Sequence, residues 1–348
     1  MSPQKLSFPK DVLPHDSVIE WWYINGNVRD GEGREYAFMQ CLFRVDPKRV
    51  NLPFLEKVPL PTLYFSHHLV SDIGKKKTVS GVHFFYELPR ATQSNDGLLH
   101  LALGEMFSLE EQKPFSYQLR TGDVGLALHS RKPPMLVNES GWVPVKGIGA
   151  YYYSLPGLAA KGTLRLGGKD IAVTGKAWMD HQWSDAPASA EDKWTWFSLQ
   201  FDDGIDLLAC AYGDKRKFLF ATISKPDGTQ ATTHNITFRP TGEVWTSTET
   251  GASYPVSWEI LIPEWNMTLE TAPKLAAQEV LFGPVNYWEG PIVVNGKLLM
   301  ANGETVNLRG EGFMELVGIP MKTSAAKLYL QKTADAVSHY VCKHIACG

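Results

Sequence analysis

A short motif occurs twice in this sequence, once near the middle and once towards the C-terminal end. The first copy is Gly175 to Asp180 (Gly-Lys-Ala-Trp-Met-Asp), and the second is Gly310 to Glu315 (Gly-Glu-Gly-Phe-Met-Glu). Both copies have the pattern Gly-x-small-aromatic-Met-acid, and an internal repeat indicates that a structural unit is present twice. We therefore expect a duplicated β structure in which the closing strand of each unit carries an acidic residue.

Short β-rich segments separated by turn residues dominate the chain. Trp196 to Phe201 and Asp206 to Tyr212 flank an Asp-Asp-Gly turn, and Phe218 to Ser224 precedes the turn sequence Pro-Asp-Gly-Thr. This spacing is typical of antiparallel hairpins in barrels and sandwiches. Helical periodicity is clear only from Thr323 to His344, and it predicts a C-terminal helix.

Each unit also begins with an aromatic-rich segment. Glu20 to Tyr23 (Glu-Trp-Trp-Tyr) starts the first unit, and Lys193 to Phe197 (Lys-Trp-Thr-Trp-Phe) starts the second. Matching starts and ends in the same order favour duplication over chance. We predict an N-terminal barrel over 1–187, a C-terminal barrel over 188–322, and a helix and tail over 323–348.

The composition is that of a globular protein with ample material for a core, since 44% of the 348 residues are hydrophobic and 20% are charged. A formal net charge of -3 gives no basic surface, so nucleic acid is not an expected partner. The 11 tryptophans suit both barrel cores and pockets for apolar ligands. The expected partner is therefore a hydrophobic small molecule.

The expected location is the cytoplasm. The first fourteen residues lack the apolar run of a signal peptide, and no stretch is long enough for a membrane span. Cys41, Cys210, Cys342 and Cys347 are widely spread and form no Cys-x-x-Cys pattern, which indicates reduced thiols without a zinc site.

Neither a metal nor an organic cofactor is expected. His67 and His68 are adjacent on a predicted strand near Asp72, and adjacent strand residues point to opposite faces, which makes a poor chelate. The sequence also lacks a dinucleotide-binding glycine motif after a strand, a Walker-type loop and a Gly-x-Ser-x-Gly nucleophile elbow.

Asp180 is the main candidate for chemistry. It alternates with Trp178 and Gln182 along a predicted strand, so all three should face the same side. If that side is the barrel lumen, the indole rings exclude water, raise the pKa of Asp180 and let it protonate an alkene or donate to a carbonyl. The alternative role is structural, with Asp180 bonding backbone amides at the barrel end. His181 and Trp183 should face the opposite way, towards the domain interface.

Other polar and aromatic residues have competing interpretations. Tyr151 and Tyr153 should point the same way and form either a pocket wall or an interdomain seam. His181 is either a proton relay or a packed histidine. Glu20 is expected to pair with an arginine or a strand end, and contact with substrate is the alternative. The candidate catalytic residues are Asp180, Trp178 and His181, and the candidate substrate-binding residues are Tyr151, Tyr153, Gln182, Trp183, Glu20, Trp22, His67 and Trp196.

These motifs, in this order, resemble the AttH-like proteins. His15 to Tyr23 and Ser66-His67-His68 resemble the N-terminal half of that family, Trp178 to Trp183 followed by Trp194-x-Trp196-Phe197 resembles its central signature, and Tyr287 to Pro291 resembles a C-terminal one. The resemblance covers the chain up to about Met321.

The resemblance extends to carotenoid 1,2-hydratases and to fungal Diels–Alderases that form decalin rings. It implies two tandem lipocalin-like barrels, a ligand site in or between them, and no organic cofactor. The hydratases' aromatic residue and essential Asp fall on Trp178 and Asp180, whereas an upstream His of theirs falls on Tyr151.

We therefore expect a cofactor-independent enzyme that hydrates or cyclises, including by pericyclic [4+2] closure, a large polyene, terpenoid or polyketide-like substrate. The aromatic pocket would hold the substrate in a reactive conformation. The alternative is a non-catalytic carrier of an apolar ligand, a common role of lipocalin barrels. The sequence leaves the substrate and the oligomeric state open.

Overall fold

The computed structural model describes residues 5–50, 62–85, 97–187, 192–213, 218–282, 285–300 and 303–323. Within these residues the regular structure is almost entirely β-strand, with 3₁₀ turns at Lys10–Val12 and Pro263–Trp265. The strands form two large, curled antiparallel sheets, which confirms the all-β prediction. The predicted C-terminal helix falls, apart from Thr323, outside the described residues. Nowhere in the described part of the chain is a helix both long enough and apolar enough to cross a membrane.

The first sheet, called the N-terminal sheet below, has the hydrogen-bonded order β4-β3-β2-β1-β12-β11-β8-β7-β6-β5, with β9 and β10 pairing onto β11. Its strands are β1 (Ile19–Arg29), β2 (Glu35–Val45), β3 (Leu63–Asp72), β4 (Lys77–Phe85), β5 (His100–Leu103), β6 (Phe107–Lys113), β7 (Ser116–Thr121), β8 (Val124–His129), β9 (Met135–Leu136), β10 (Trp142–Val143), β11 (Ala150–Leu166) and β12 (Lys169–Ser184).

The second sheet, the C-terminal sheet, has the order β16-β15-β14-β13-β24-β23-β21-β20-β17, with β22 pairing onto β23, and β18 and β19 form a separate ribbon. The strands are β13 (Trp194–Phe201), β14 (Asp206–Tyr212), β15 (Phe218–Ser224), β16 (Gln230–Thr233), β17 (Thr237–Pro240), β18 (Val244–Thr246), β19 (Ser253–Pro255), β20 (Trp258–Ile262), β21 (Met267–Pro273), β22 (Glu279–Phe282), β23 (Val285–Leu299) and β24 (Thr305–Val317).

The two sheets share one connectivity. In each, the first strand in chain order pairs with the last, β1 with β12 and β13 with β24. The repeated motif lies on these closing strands, where Asp180 is opposite Tyr23 and Glu315 is opposite Trp196. The predicted hairpins β13–β14 and β15–β16 are also present. The duplication seen in the sequence is therefore a duplication of strand order and register, while the exact domain boundaries stay a prediction.

Four apolar clusters lie in the described part of the chain, and the three largest hold the sheets together. One fills the inside of the N-terminal sheet and contains Met179, a second fills the inside of the C-terminal sheet, and a third lies between the sheets and contains Trp178. Since successive strand residues face opposite sides, β12 contributes to two clusters at once. The strand β3 is buried along its whole length for the same reason, since Val70 packs inside the N-terminal sheet and Leu69 packs between the sheets.

Buried polar contacts fix one sheet against the other. The side-chain amide of Gln200 donates to the carbonyl oxygen of Ala177 at 3.0 Å. The ammonium of Lys132 lies 2.7 Å from Oδ2 of Asp206, and both side chains are almost fully buried. Because such groups cost free energy when left unpaired, these contacts set the relative position of the sheets.

Candidate active site

A cavity of about 680 Å³ lies between the two sheets. Its wall takes side chains from β1, β2, β3, β11 and β12 of the N-terminal sheet and from β13, β14, β15, β23 and β24 of the C-terminal sheet. Most of this wall is apolar or aromatic, including Trp21, Tyr23, Phe43, Trp194, Trp196 and Tyr212. A cavity of this size and character fits a large apolar molecule.

Asp180 lies on this wall and accepts three short hydrogen bonds. Ser154 Oγ and Trp178 Nε1 each donate to Oδ1 at 2.6 Å, and the hydroxyl of Tyr152 donates to Oδ2, also at 2.6 Å. Ser154 faces Asp180 because the two are register partners on β11 and β12. The carboxyl group is therefore held in one orientation at the cavity surface.

Tyr152 links Asp180 to the second sheet. Its oxygen accepts a hydrogen bond from Nε1 of Trp196 at 2.9 Å, while its proton goes to Asp180. Both Tyr152 and Trp196 line the cavity. When Asp180 is protonated it can donate to the Tyr152 oxygen, which frees the tyrosine proton to point at a ligand.

The pKa of Asp180 is raised to about 7 because the carboxyl group is buried away from water. The hydrogen bonds from Ser154, Tyr152 and Trp178 act in the opposite direction, since they stabilise the carboxylate, but they do not offset the burial. The side chain is 3% exposed. Near neutral pH the group therefore exists in both forms, as general acid–base catalysis requires.

Four of the sequence-predicted residues line this cavity, namely Asp180, Gln182, His67 and Trp196. Trp178 lies directly behind Asp180 and is fully buried. His67 Nδ1 is 2.5 Å from the hydroxyl of Tyr287, and burial lowers the His67 pKa to about 3, so the ring is neutral. The structure thus brings together residues from opposite ends of the chain.

The other predicted site residues lie on the opposite face of the N-terminal sheet. The expectation that Asp180 faces a lumen and His181 the interface is reversed, because the second sheet covers the Asp180 face of β12 and His181 points inside. The first and third tyrosines of the 151–153 run also point inside, so they do not shape the Asp180 cavity. The residues placed on this inner face are His181, Trp183, Glu20, Trp22, Tyr151 and Tyr153.

Glu20 is the centre of a buried ionic cluster on that inner face. Its Oε1 lies 2.8 Å from His15 Nδ1 and 2.9 Å from His181 Nε2, and Arg44 lies 3.8 Å from its other oxygen. Burial would raise the pKa of Glu20, but the two histidines outweigh it and the pKa is lowered. The predicted pairing with an arginine is present, although two histidines are closer.

Glu20 and the two histidines are the one group in the described part of the chain whose donor atoms lie close enough to chelate a metal. Atoms of His15, Glu20 and His181 lie within 4.8 Å of one another. Glu20 already bonds both histidines, and His15 also stacks on Trp183 with ring centres 3.6 Å apart. These contacts hold the N-terminal segment around His15 against the inner face of the sheet.

The two hydroxyl groups that donate to Asp180 escaped the sequence-based prediction. Tyr152 stands between the two tyrosines that were selected, and strand alternation puts it on the other face, with Asp180. Ser154 is two residues further along the strand, so it lies on the same face as Tyr152 and also reaches Asp180. The alternation was visible in the sequence, but the face that meets the second sheet was not.

The fold and the site together define a class of two-sheet β protein with a buried carboxyl group at an apolar cavity between the sheets. The chain belongs to the AttH-like family, whose model matches residues 1–319. This confirms the family resemblance inferred from the motifs.

One curated relative is the dehydratase asqC of Emericella nidulans, with 26% identity over 200 residues. The match covers 54% of this chain and 55% of the relative, so the chain spans about half the length of the curated protein that it matches.

Solved structures of similar fold cover nearly all of the chain. An AttH protein from Nitrosomonas europaea has a TM-score of 0.75 and 26% identity, over 92% of this chain and 98% of that one. Kievitone hydratase from Nectria haematococca has a TM-score of 0.71 and 15% identity, over 92% and 94%. CghA, solved with Sch210972, has a TM-score of 0.57 and 11% identity, over 88% and 89%.

Proposed function

We propose that this protein is a lyase-type enzyme that adds water to, or removes water from, a double bond of a large apolar substrate. The observation that carries the proposal is the Asp180 carboxyl group, buried at the wall of an aromatic cavity and held by three donors with a pKa of about 7. The substrate class is a polyene, terpenoid or polyketide-like molecule, because the wall is mainly apolar.

In the hydration direction, protonated Asp180 gives its proton to one carbon of the double bond, directly or through Tyr152. The adjacent carbon becomes cationic, and the faces of Trp196 and Tyr23 on the cavity wall stabilise it by about 1–2 kcal/mol each. Water adds to that carbon and releases one proton, which restores the acid. Dehydration is the reverse sequence, and the step uses only water and the chain's own side chains.

The names of the relatives support this reaction class. The curated relative is a dehydratase, and one protein of similar fold is a hydratase, so elimination and addition of water both occur among them. Cyclisation is the second candidate reaction, because a cavity between two sheets can fold a flexible substrate and lower the entropic barrier. CghA, a protein of similar fold, was solved with the compound Sch210972, which supports a fold able to hold a small molecule.

The test is incubation of the protein in isotopically labelled water with farnesol and geranylgeraniol for hydration, and nerolidol for dehydration. Native mass spectrometry of protein from its own host extends the set with any co-purified apolar molecule. The proposal expects incorporation of labelled oxygen or loss of a hydroxyl group, catalysed by the protein. Tight binding of an apolar molecule without chemical change would support the carrier instead.

A further inference from the structure

The cavity contains a second carboxyl group, Glu315, on the closing strand of the other sheet. Glu315 lines the cavity and is half-buried, and Nε1 of Trp194 donates to its Oε2 at 2.8 Å. Asp180 also accepts from an indole N–H, that of Trp178, which lies on its own strand, whereas Trp194 lies on the strand next to Glu315. Each sheet therefore presents one indole-bound carboxyl group to the same space.

The positions of the two acids match in register. Asp180 lies between Tyr23 on β1 and Ser154 on β11, and Glu315 lies between Trp196 on β13 and Glu289 on β23. Strand order and register are the same, so the duplication places the two acids at equivalent points. The neighbours differ: Trp196 takes the place of Tyr23, and on β23 the carboxyl group of Glu289 takes the place of the Ser154 hydroxyl group.

Glu289 is a neighbour that must remain neutral. It is fully buried, and Tyr23 donates its hydroxyl proton to Oε1 at 2.7 Å. Its Oε2 has no hydrogen-bond partner among the described residues. Directly opposed side chains on one sheet face lie about 5 Å apart at Cβ, so two charges there would repel strongly. Burial, and then the charge of Glu315, raise the pKa of Glu289 well above its ordinary value.

Glu315, by contrast, titrates near neutrality. Burial raises its pKa to about 7, the hydrogen bond from Trp194 lowers it, and the charge of Asp180 raises it. Because ionisation of one acid disfavours ionisation of the other, a state with one proton on the pair is favoured near neutral pH.

We propose that Glu315 is the second catalytic residue of the cavity, the base that complements Asp180, and that neutral Glu289 is its positioning residue. The inference rests on the proposed water-addition function. In hydration, Asp180 gives its proton to carbon, and the Glu315 carboxylate takes the proton that the attacking water loses. The new bonds are C–H and C–O, the carbon–carbon π bond is broken, and the proton returns from Glu315 to Asp180 through solvent.

The first experiment follows the carboxyl carbons of isotope-labelled glutamate by NMR between acid and alkaline pH, without any ligand. The resonance that disappears in Glu315→Gln should titrate near pH 7, and the resonance that disappears in Glu289→Gln should stay protonated through neutrality. The exposed Glu270 on β21, changed to Gln, identifies the resonance of a glutamate outside the cavity in the same spectra. Titration of Glu315 at the ordinary value of about 4.3 would overturn the proposal.

The second experiment measures kcat/KM against pH on whichever of farnesol, geranylgeraniol and nerolidol is converted. An acid and a base that both act in the reaction predict a bell-shaped profile. In the hydration direction, Glu315→Gln removes the base, so the acid limb of the profile should disappear and the rate should fall roughly a hundredfold or more. The exposed Glu270→Gln should keep the rate. Glu289→Gln should lower it less than Glu315→Gln does, since an amide mimics the neutral acid, and Glu315→Asp should recover part of the rate lost in Glu315→Gln. A merely structural Glu315 would leave both limbs in place.

The two proposals fail in different ways. Absence of any conversion in the wild-type protein would remove the proposed function, whatever the titration gives. Conversion that is unaffected by Glu315→Gln, with Glu315 titrating as an ordinary glutamate, would leave Asp180 as the sole acid and remove only the inference about Glu315.

Discussion

Tyr152 donates its hydroxyl proton to Oδ2 of Asp180 at 2.6 Å, so in the resting structure the tyrosine stabilises the carboxylate rather than the acid. The same oxygen of Tyr152 accepts from Trp196 of the second sheet. The protonation state of Asp180 is therefore coupled to a contact that joins the two halves of the molecule.

Asp180→Asn should abolish turnover and keep ligand binding. Asparagine preserves size and can still accept from Ser154 and Trp178, but it cannot transfer a proton. The expected loss is about a hundredfold or more in kcat, with an unchanged dissociation constant. Asp185→Asn is the matched control, since Asp185 is exposed and pairs with the surface residue Arg49. Equal rates for both variants would show that Asp180 has a structural role.

Tyr152→Phe should move the alkaline limb of the pH–rate profile to higher pH. The Tyr152 hydrogen bond lowers the pKa of Asp180, so its removal raises that pKa, and the acid form persists to higher pH. A bond to a charged group is worth about 1.5–3 kcal/mol, which allows a shift of roughly one pH unit or more. Tyr153→Phe is the control, because that hydroxyl bonds His181 on the other face. A shift to lower pH would contradict the assignment.

The free energy of unfolding should fall as the pH rises through the range in which Asp180 titrates. Its folded-state pKa, about 7, lies above the ordinary 3.8, so the folded state holds the proton more tightly. The resulting stabilisation is fully present below pH 3.8 and is lost towards pH 7, by roughly 4 kcal/mol in total. Urea unfolding should therefore show that Asp180→Asn gains stability relative to wild type between pH 4 and pH 8. If the difference in unfolding free energy between the variant and the wild type were the same at pH 4 and pH 8, the pKa of Asp180 would not be raised.

Filling the cavity should block binding without unfolding the protein. Val317 lines the cavity, and a tryptophan there would occupy space that a ligand needs. We expect Val317→Trp to weaken binding of an apolar fluorescent probe by roughly tenfold, about 1.4 kcal/mol. Val244→Trp places the same ring at a site that is 58% exposed and should leave binding unchanged. Equal binding in both variants would place the probe elsewhere.

Glu20→Gln should reduce stability far more than catalysis. Glu20 is fully buried and holds His15 and His181, so the loss of its charge weakens two contacts by about 1–3 kcal/mol in total. Thermal unfolding measures this, and kcat at a temperature well below the transition should be kept. A large fall in kcat with unchanged stability would make the inner face of the sheet part of the active site.

The sequence predicted the β class, the duplication and the common face of Trp178, Asp180 and Gln182, because period-two alternation and turn residues are local properties. It could not say which face meets the other sheet, since both faces of β12 carry aromatic residues and both are buried. The sequence analysis therefore placed Asp180 inside a barrel and His181 at the interface, whereas Asp180 lies between the sheets and His181 lies inside the N-terminal sheet. Glu289 was not predicted as a site residue because its role depends on contacts between distant parts of the chain. The register of β23 places it opposite Glu315, and a hydrogen bond across the sheets joins it to Tyr23.

The most direct measurement is a crystal structure of the Asp180→Asn variant with a substrate trapped before conversion. The account predicts that the double bond or hydroxyl group of the ligand lies between the two sheets, in contact with Asn at position 180 and with Tyr152, and within reach of Glu315. A ligand bound inside the N-terminal sheet, beside His181 and Glu20, would contradict it.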